Sequence, residues 1–450
     1  MTRGGERITV VVLFAAFVLA YAANGREIGT YDSRPTELAA RELLLRGTLS
    51  LNHVVGAVPE YAHRWGFILA RDGRYRAIYS PVPSLVAAAV IWPLWRTGLI
   101  DIRAPLATQL IGKVTATLLV ALAAVVSYTT ARRALPRGKA VLVACGLALG
   151  TGWWSSASQT LWQSETAVFG LAVAVAAFVR LESPSPGAAR AVALIAGLTL
   201  AGTSRPQLTP AIAIILAGVW MRAPRRLAFA VSACVAAAAA ALALCNWRWF
   251  GNVLGAQPLL VDVNRATHAT DAMFRPAVDG VVGLLLSPSR GLLVFSPVVL
   301  VAVAGVRSAA RAGWRGAAIW CLGAAVTQFA VYSMYGVWWG GHTYGPRYLL
   351  DTLPLLVPLA TLALVAPRSR VWHAAACVAL AWSIAVAATG AFVYPHEAWN
   401  SDPDDVDTHH ERLWAVWDGQ IERCWRAGLS PQNFALFDRA AVRRAAETSP

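Results

Sequence analysis

The chain has 450 residues, of which 57% are hydrophobic and only 14% charged, against about 25% charged in an average soluble domain. Its net charge of +15 comes almost wholly from arginine, Lys113 and Lys139 being the only lysines. No basic run alternates with stacking aromatics in a polar domain, which excludes a nucleic-acid-binding protein, and apolar runs of membrane-crossing length recur from end to end, which excludes a soluble one.

The opening "MTRGGERITVVVLFAAFVLAYAANG" sets Arg3 and Arg7 before an apolar run from Ile8 to Ala23. A cleaved signal peptide would show a clean small-residue cleavage site after the run. None follows, so the run reads as a retained first span with a cytoplasmic N-terminus. Basic clusters then recur between apolar runs: Arg132, Arg133, Arg137 and Lys139; Arg180 and Arg190; Arg222, Arg225 and Arg226; Arg307, Arg311 and Arg315; Arg368 and Arg370. Such clusters mark cytoplasmic loops. Residue 24 is then outside and residue 132 inside, so an odd number of spans lies between them. Pro83–Trp95 has 13 residues and an internal Pro93, short of the about 20 needed to cross. It reads as a helix in the interface, anchored by Trp92 and Trp95. Ala107–Thr130 is the second span.

An external loop over 24–106 follows from this, with interfacial helices at 35–46 and 83–95. Further spans fall near 140–157, 166–180, 189–203, 208–221, 227–245, 292–306, 316–335, 349–366 and 371–393. The fold class is an all-α polytopic membrane protein of about eleven transmembrane helices, with residues 1–393 as the membrane domain and 394–450 as an external tail. Six cysteines without a CxxC pair read as small apolar packers, not as a disulfide framework or a zinc site.

Within the external loop, "GTYDSRPTELAARELLLRG" carries Asp32 just ahead of a helix. Pro35 suits its first turn and Gly47 closes it. Glu37/Arg41 and Glu42/Arg46 pair along one side, while Ala39, Ala40, Leu43 and Leu44 rest on the membrane. Asp32 is either the cap of this helix or a functional acid pinned at the outer interface. The turn "GWWSSASQTLWQSETAVFG" emerges on the same side with Glu165, a solvated loop acid or an ionisable group placed at membrane depth for function. Cations and aromatics collect on that face: Arg74, Arg76 and Tyr79 in "GRYRAIYSPVPS", Arg205 in "TSRPQ", and Arg290 in "LLSPSRGLLVFSP". "YGVWWGGHTYGPRYLLDTLP" adds Trp338, Trp339, His342, Tyr344, Arg347 and Tyr348. That last stretch is either an aromatic belt with a snorkelling arginine or a glycine-flanked site for a polar ligand. No HExxH, nucleophile elbow or phosphate-cradling glycine loop occurs.

The order and sidedness of these segments resemble the GT-C superfamily of membrane glycosyltransferases, in particular the protein O-mannosyltransferase and aminoarabinose transferase group. The likeness rests on "YDSRPTELAARELLLRG", "YSPVPSLVAAAVIWPLW", "LWQSETAVF", "SRP" and "WWGGHTYGPRYLLDTLP". It departs from that group in having a single Asp32 followed by Ser33 where an acidic pair is usual. The double proline is spread as Pro81-Val82-Pro83, and no lysine precedes it. The resemblance implies a polyprenyl-phosphate-linked sugar donor, a glycan, lipid or protein acceptor on the outer face of the plasma membrane, and inversion at the anomeric carbon. Such a transfer needs a base for the acceptor hydroxyl and cations for the departing phosphate. Asp32 is the expected base. Arg347, Arg205, Arg76, His342, Tyr79, Arg290, Tyr344 and Tyr348 are the expected phosphate contacts. Glu165 would orient the acceptor or a divalent cation. Two other classes stand beside this one. A transporter or flippase of an anionic lipid or solute would need ionisable groups at mid-bilayer and broken helices. A non-catalytic assembly protein would keep the fold without the chemistry.

Overall fold

The structure, a computed structural model, describes residues 3–181, 187–268, 274–275, 278–313 and 316–437; Arg315 and the end of the tail lie outside them. Among the described residues, five helices are long and apolar enough to cross a membrane: Gly4–Ala22, Ala107–Ala131, Arg225–Phe250, Arg347–Val365 and Arg370–Phe392. Shorter apolar helices include Ser164–Phe178, Ala188–Ser204 and Ala317–Ser333. Ala107–Ala131 is the central one, 72% buried over its most apolar window, and Arg225–Phe250 is only 11% buried although it is more apolar. An apolar helix left that bare would be unstable in water and is at home in lipid. The protein is an integral membrane protein.

Small residues let these helices close. Gly170 on Ser164–Phe178 and Gly197 on Ala188–Ser204 face each other, and a Cβ on either would stand under 3 Å from the opposite backbone. Alanines complete the seam, the close approach that drives helix association where no hydrophobic effect operates.

Two of the expected spans are interrupted. The helix expected over 140–157 is continuous only as Arg137–Leu149, and a π-type turn, Trp153–Ala157, follows. Trp153 Nε1 donates to the Leu350 carbonyl at 2.9 Å, and Trp154 Nε1 to the Ala20 carbonyl at 3.0 Å, so the turn is fixed from two sides. The span expected over 292–306 is a chain of short pieces, Leu292–Phe295, Pro297–Val299, Leu300–Val303 and Val306–Ala312. Pro297 removes an N–H and forbids a continuous helix through Ser296.

The segment 24–106 holds helices at both expected places, as Arg34–Arg46 and Val82–Arg96. Between them lie Asn52–Ala57, a single turn at Pro59–His63 and an antiparallel hairpin pairing Phe67–Leu69 with Tyr75–Ala77, Ile68 opposite Arg76. In the helix Arg34–Arg46, Ala39 and Ala40, expected on the membrane-facing side, are buried against protein. Pro35 to Ala40 and Glu42 are all buried, Ser84 Oγ donates to the Thr36 carbonyl, and the Arg41 side chain donates to the Ile102 carbonyl. Glu42 and Arg46 pair at 2.8 Å as expected, but Glu37 turns inward and leaves Arg41. The i,i+4 spacing carries no information about which side faces protein.

Residues 394–437 fold back over the same end of the molecule. Phe434 and Leu436 donate their N–H groups to the Asn24 and Gly25 carbonyls, and the short helix Gln420–Ala427 packs beside Arg370–Phe392.

Candidate functional site

A cavity of about 460 Å³ opens where the first loop, the π-type turn, the segment after Ala317–Ser333 and the folded-back tail meet. Its floor is an ion pair between two segments 315 residues apart: Arg347 Nη1 and Nη2 both donate to Asp32 Oδ2 at 3.2 Å. Trp65 Nε1 donates to the other oxygen, Oδ1, at 2.5 Å. Asp32 caps nothing, because Ser33 occupies the N-cap position without a side-chain cap bond. The Trp162 ring lies 4.5 Å from the Arg347 guanidinium carbon and covers one face of it.

Asp32 is held from below by a dense polar layer. Arg34 bridges Glu27 at 3.1 Å and Glu37 at 3.0 Å, and Thr160 Oγ1 stands 2.6 Å from a carboxylate oxygen of each. The hydroxyl has one proton to give, so one of the two acids must donate to it. Burial, with Glu27 adding to it, pushes the Glu37 carboxyl well above its ordinary value, and Arg34 acts the other way. Beside this layer Asn24, Lys113 and Gln159 are linked at 2.6–3.0 Å.

Arg205 lines the cavity next to Arg347. It pairs with fully buried Asp351 at 2.9 Å and lies over the rings of Tyr332 and Tyr348, at 5.2 and 5.7 Å. Tyr332, Tyr335 and Tyr348 form a closed triangle with centroids 5.5–5.6 Å apart. Burial, and after it the Asp32 carboxylate, push the Tyr79 phenol well above its ordinary value, so it remains a neutral donor at the cavity wall. Asp32, Arg347, Arg205, Tyr79, Tyr348 and His342 are thus brought together in one cavity.

The other expected site residues are placed elsewhere. Arg290 is fully buried, and its five N–H donors go to Trp339 O, Ser289 O, Gln420 Oε1, Gly341 O and Asn400 Oδ1, at 2.7–3.1 Å. It staples the tail to the glycine loop and has no donor left for a phosphate. Arg76 pairs with Asp72 at 2.5 Å and lies 4.1 Å from the Trp249 ring, away from the cavity lining. Tyr344 is buried, gives its hydroxyl to the Val386 carbonyl at 2.9 Å and packs edge-on against Phe295. Glu165 is fully buried in the first turn of Ser164–Phe178, 3.3 Å from Ser164 Oγ with Oε2 unpartnered. Ser164 lines the cavity and Glu165 stands behind it, so Glu165 does not touch an acceptor there. His342, although in the cavity lining, meets carboxylates there, Asp405 at 3.0 Å and Asp407 at 3.5 Å, instead of joining the arginines.

Sequence reasoning missed Trp65, Trp162, Tyr335, Asp351, His268, Asp405 and Asp407. Asp351 lies in the quoted "GPRYLLDTLP", four residues past Arg347, and the acid-rich "SDPDDVDTHHE" was a visible signal within the tail.

The fold is similar to that of solved membrane proteins. The structure of ArnT from Cupriavidus metallidurans bound to undecaprenyl phosphate aligns over 99% of this chain and 79% of its own, with a TM-score of 0.50 at 15% identity. The apo form of the same protein aligns over 99% and 74% with a TM-score of 0.49 at 16% identity, and the apo oligosaccharyltransferase of Archaeoglobus fulgidus over 98% and 68% with 0.48 at 12%. No protein-family model matches the chain, and no curated relative matches it in sequence.

Proposed function

We propose that this protein is a membrane glycosyltransferase that moves a sugar, with inversion, from a polyprenyl-phosphate-linked donor to an acceptor at the outer face of the plasma membrane. Eleven crossings would put the cavity on that face. The observation that carries the reading is the contact between Asp32 and Arg347 inside a cavity that also presents Arg205 and Tyr79. Undecaprenyl phosphate in the ArnT structure of the same fold supports a lipid phosphate as the ligand.

The geometry suggests how the residues divide the work. The donor phosphate enters beside Arg347 and Arg205 and takes the Arg347 guanidinium away from Asp32. Oδ2 is then free, while Trp65 keeps the carboxylate oriented through Oδ1. The acceptor oxygen attacks the anomeric carbon as its proton passes to Oδ2. The bond from that carbon to the phosphate oxygen breaks, and the leaving polyprenyl phosphate is held by the arginines and by the Tyr79 hydroxyl.

Asp32→Asn keeps an acceptor for Trp65 but removes the base. Such a loss costs about 10²–10⁴-fold in rate. Mass spectrometry of envelope glycans and lipids should show a modified product that is absent from a deletion strain, restored by wild type and not restored by Asp32→Asn at equal expression. Restoration by Asp32→Asn at the wild-type level would remove Asp32 from the chemistry.

A further inference from the structure

Four side chains from three separate segments converge on the exposed side of the cavity. His268 follows the helix Gln257–Thr267, His342 stands in the glycine loop, and Asp405 and Asp407 belong to the folded-back tail. His342 Nε2 lies 3.0 Å from Asp405 Oδ1 and 3.5 Å from Asp407 Oδ2, and His268 Nε2 lies 3.4 Å from the same Asp407 oxygen. The ligand-capable atoms of His342, Asp405 and Asp407 all fall within 4.8 Å of one another. Metal–ligand bonds of about 2.0–2.1 Å in a tetrahedron place neighbouring ligand atoms about 3.3 Å apart, and the three closest pairs here, at 3.0, 3.4 and 3.5 Å, are near that spacing.

The groups behind these atoms are arranged as they are behind metal ligands. Trp339 Nε1 donates to Asp407 Oδ1 at 2.7 Å, which leaves Oδ2 to point into the cluster. The Asp407 N–H donates to Asp405 Oδ1 at 2.9 Å. Thr267 Oγ1 lies 2.7 Å from His268 Nδ1, and the other ring nitrogen, Nε2, faces Asp407. Partners of this kind fix the tautomer and orientation of ligating side chains. In the tautomer that donates Nδ1–H to Thr267, the ring turns a lone pair toward the Asp407 carboxylate, an opposition that a cation between them resolves. Gly340 and Gly341 have φ of +80° and +69°, and these two left-handed residues turn the loop so that His342 reaches the tail.

We propose that His268, His342, Asp405 and Asp407 bind one divalent transition-metal cation, zinc by the donor set, beside the Asp32–Arg347 pair. Two imidazoles with two carboxylates suit zinc, and manganese less well, whereas magnesium and calcium prefer oxygen-only sites. Two aspartates balance the cation, so the site is neutral overall while the metal still polarises an oxygen brought to it. Within the transferase reading on which this rests, that oxygen belongs to the donor phosphate or to the acceptor. The cation also ties the tail to the glycine loop that carries Arg347.

Full-length protein purified in detergent and stripped with a chelator should regain one zinc per chain by elemental mass spectrometry. Its melting temperature should rise with ZnCl2, less with MnCl2, and not with MgCl2 or CaCl2. Asp405→Asn/Asp407→Asn should abolish both the zinc and the shift. Trp339→Phe, which keeps an aromatic ring but loses the N–H, should weaken zinc binding by about 10–100-fold. Wild-type protein without zinc above the buffer level and without a shift overturns the site, and so does a response to magnesium or calcium alone, or undiminished binding in the double variant. Zinc retained by a protein that binds no polyprenyl phosphate would support the site and sink the transferase reading. Donor binding and sugar transfer by a wild-type protein that takes up no zinc would do the reverse.

Discussion

At the scale of single residues the cavity is a set of cations already committed to acids. Arg347 holds Asp32 and Arg205 holds Asp351, so an incoming phosphate competes for both guanidinium groups. Arg347→Ala removes charge-assisted hydrogen bonds of about 1.5–3 kcal/mol, and donor affinity should fall by about 10–150-fold in equilibrium binding with a polyprenyl-phosphate sugar. Unchanged affinity would return "GPRY" to the aromatic-belt reading. Arg205 behaves differently, because its loss strands a buried carboxylate. Arg205→Ala should destabilise the protein by about 3–5 kcal/mol, and Arg205→Ala/Asp351→Asn should recover much of that in detergent melts. A double variant no more stable than the single one would show that the Asp351 charge is not what makes Arg205 indispensable. Arg347 and Arg205 were readable from "GPRY" and "SRP" because arginine beside proline or glycine at the end of a span has few structural uses. Arg290 looked the same in sequence. Its five acceptors come from residues up to 130 positions away, and no local pattern encodes them.

At the scale of elements, the helix Arg34–Arg46 decides where Asp32 stands. Its start, its end and its Pro35 followed from local rules, whereas its burial on both sides did not, because that depends on Thr160, Ser84 and Ile102 from other segments. The Glu27/Glu37 pair beneath it gives the element a pH dependence. The folded-state Glu37 carboxyl titrates above its unfolded value, so its contribution is fully present below the ordinary glutamate range and is lost as pH rises through the folded value. Melting temperature should therefore fall as pH rises above the ordinary glutamate range. Glu37→Gln, which keeps a hydrogen-bonding group toward Thr160, should flatten that fall in melts followed upward from acid pH. An identical pH profile in wild type and Glu37→Gln would place the shared proton elsewhere. The interrupted helices at Gly150 and Pro297 belong to this scale too. Hydropathy averages over a break and reports a span, and only the position of Pro297 hinted at the second one.

For the whole molecule, the alternation of basic loops and apolar runs gave the helical membrane architecture directly. The site was harder to read because its walls come from opposite ends of the chain, Asp32 and Trp65 from the first loop, Arg347 from late in the membrane domain, Asp405 and Asp407 from the tail. Sidedness is open to direct test: cysteines at positions 32, 165 and 347 should sit on the outer side and one at 135 on the inner side. In intact cells a membrane-impermeant thiol reagent should label position 32 and spare position 135; labelling at 135 would overturn the span count. The central claim is that this cavity holds a lipid phosphate, and native mass spectrometry of the purified protein with undecaprenyl phosphate tests it most directly. One lipid should bind per chain, with occupancy falling at least about tenfold in Arg347→Ala. Absence of any bound lipid, or equal occupancy in wild type and Arg347→Ala, would contradict the account.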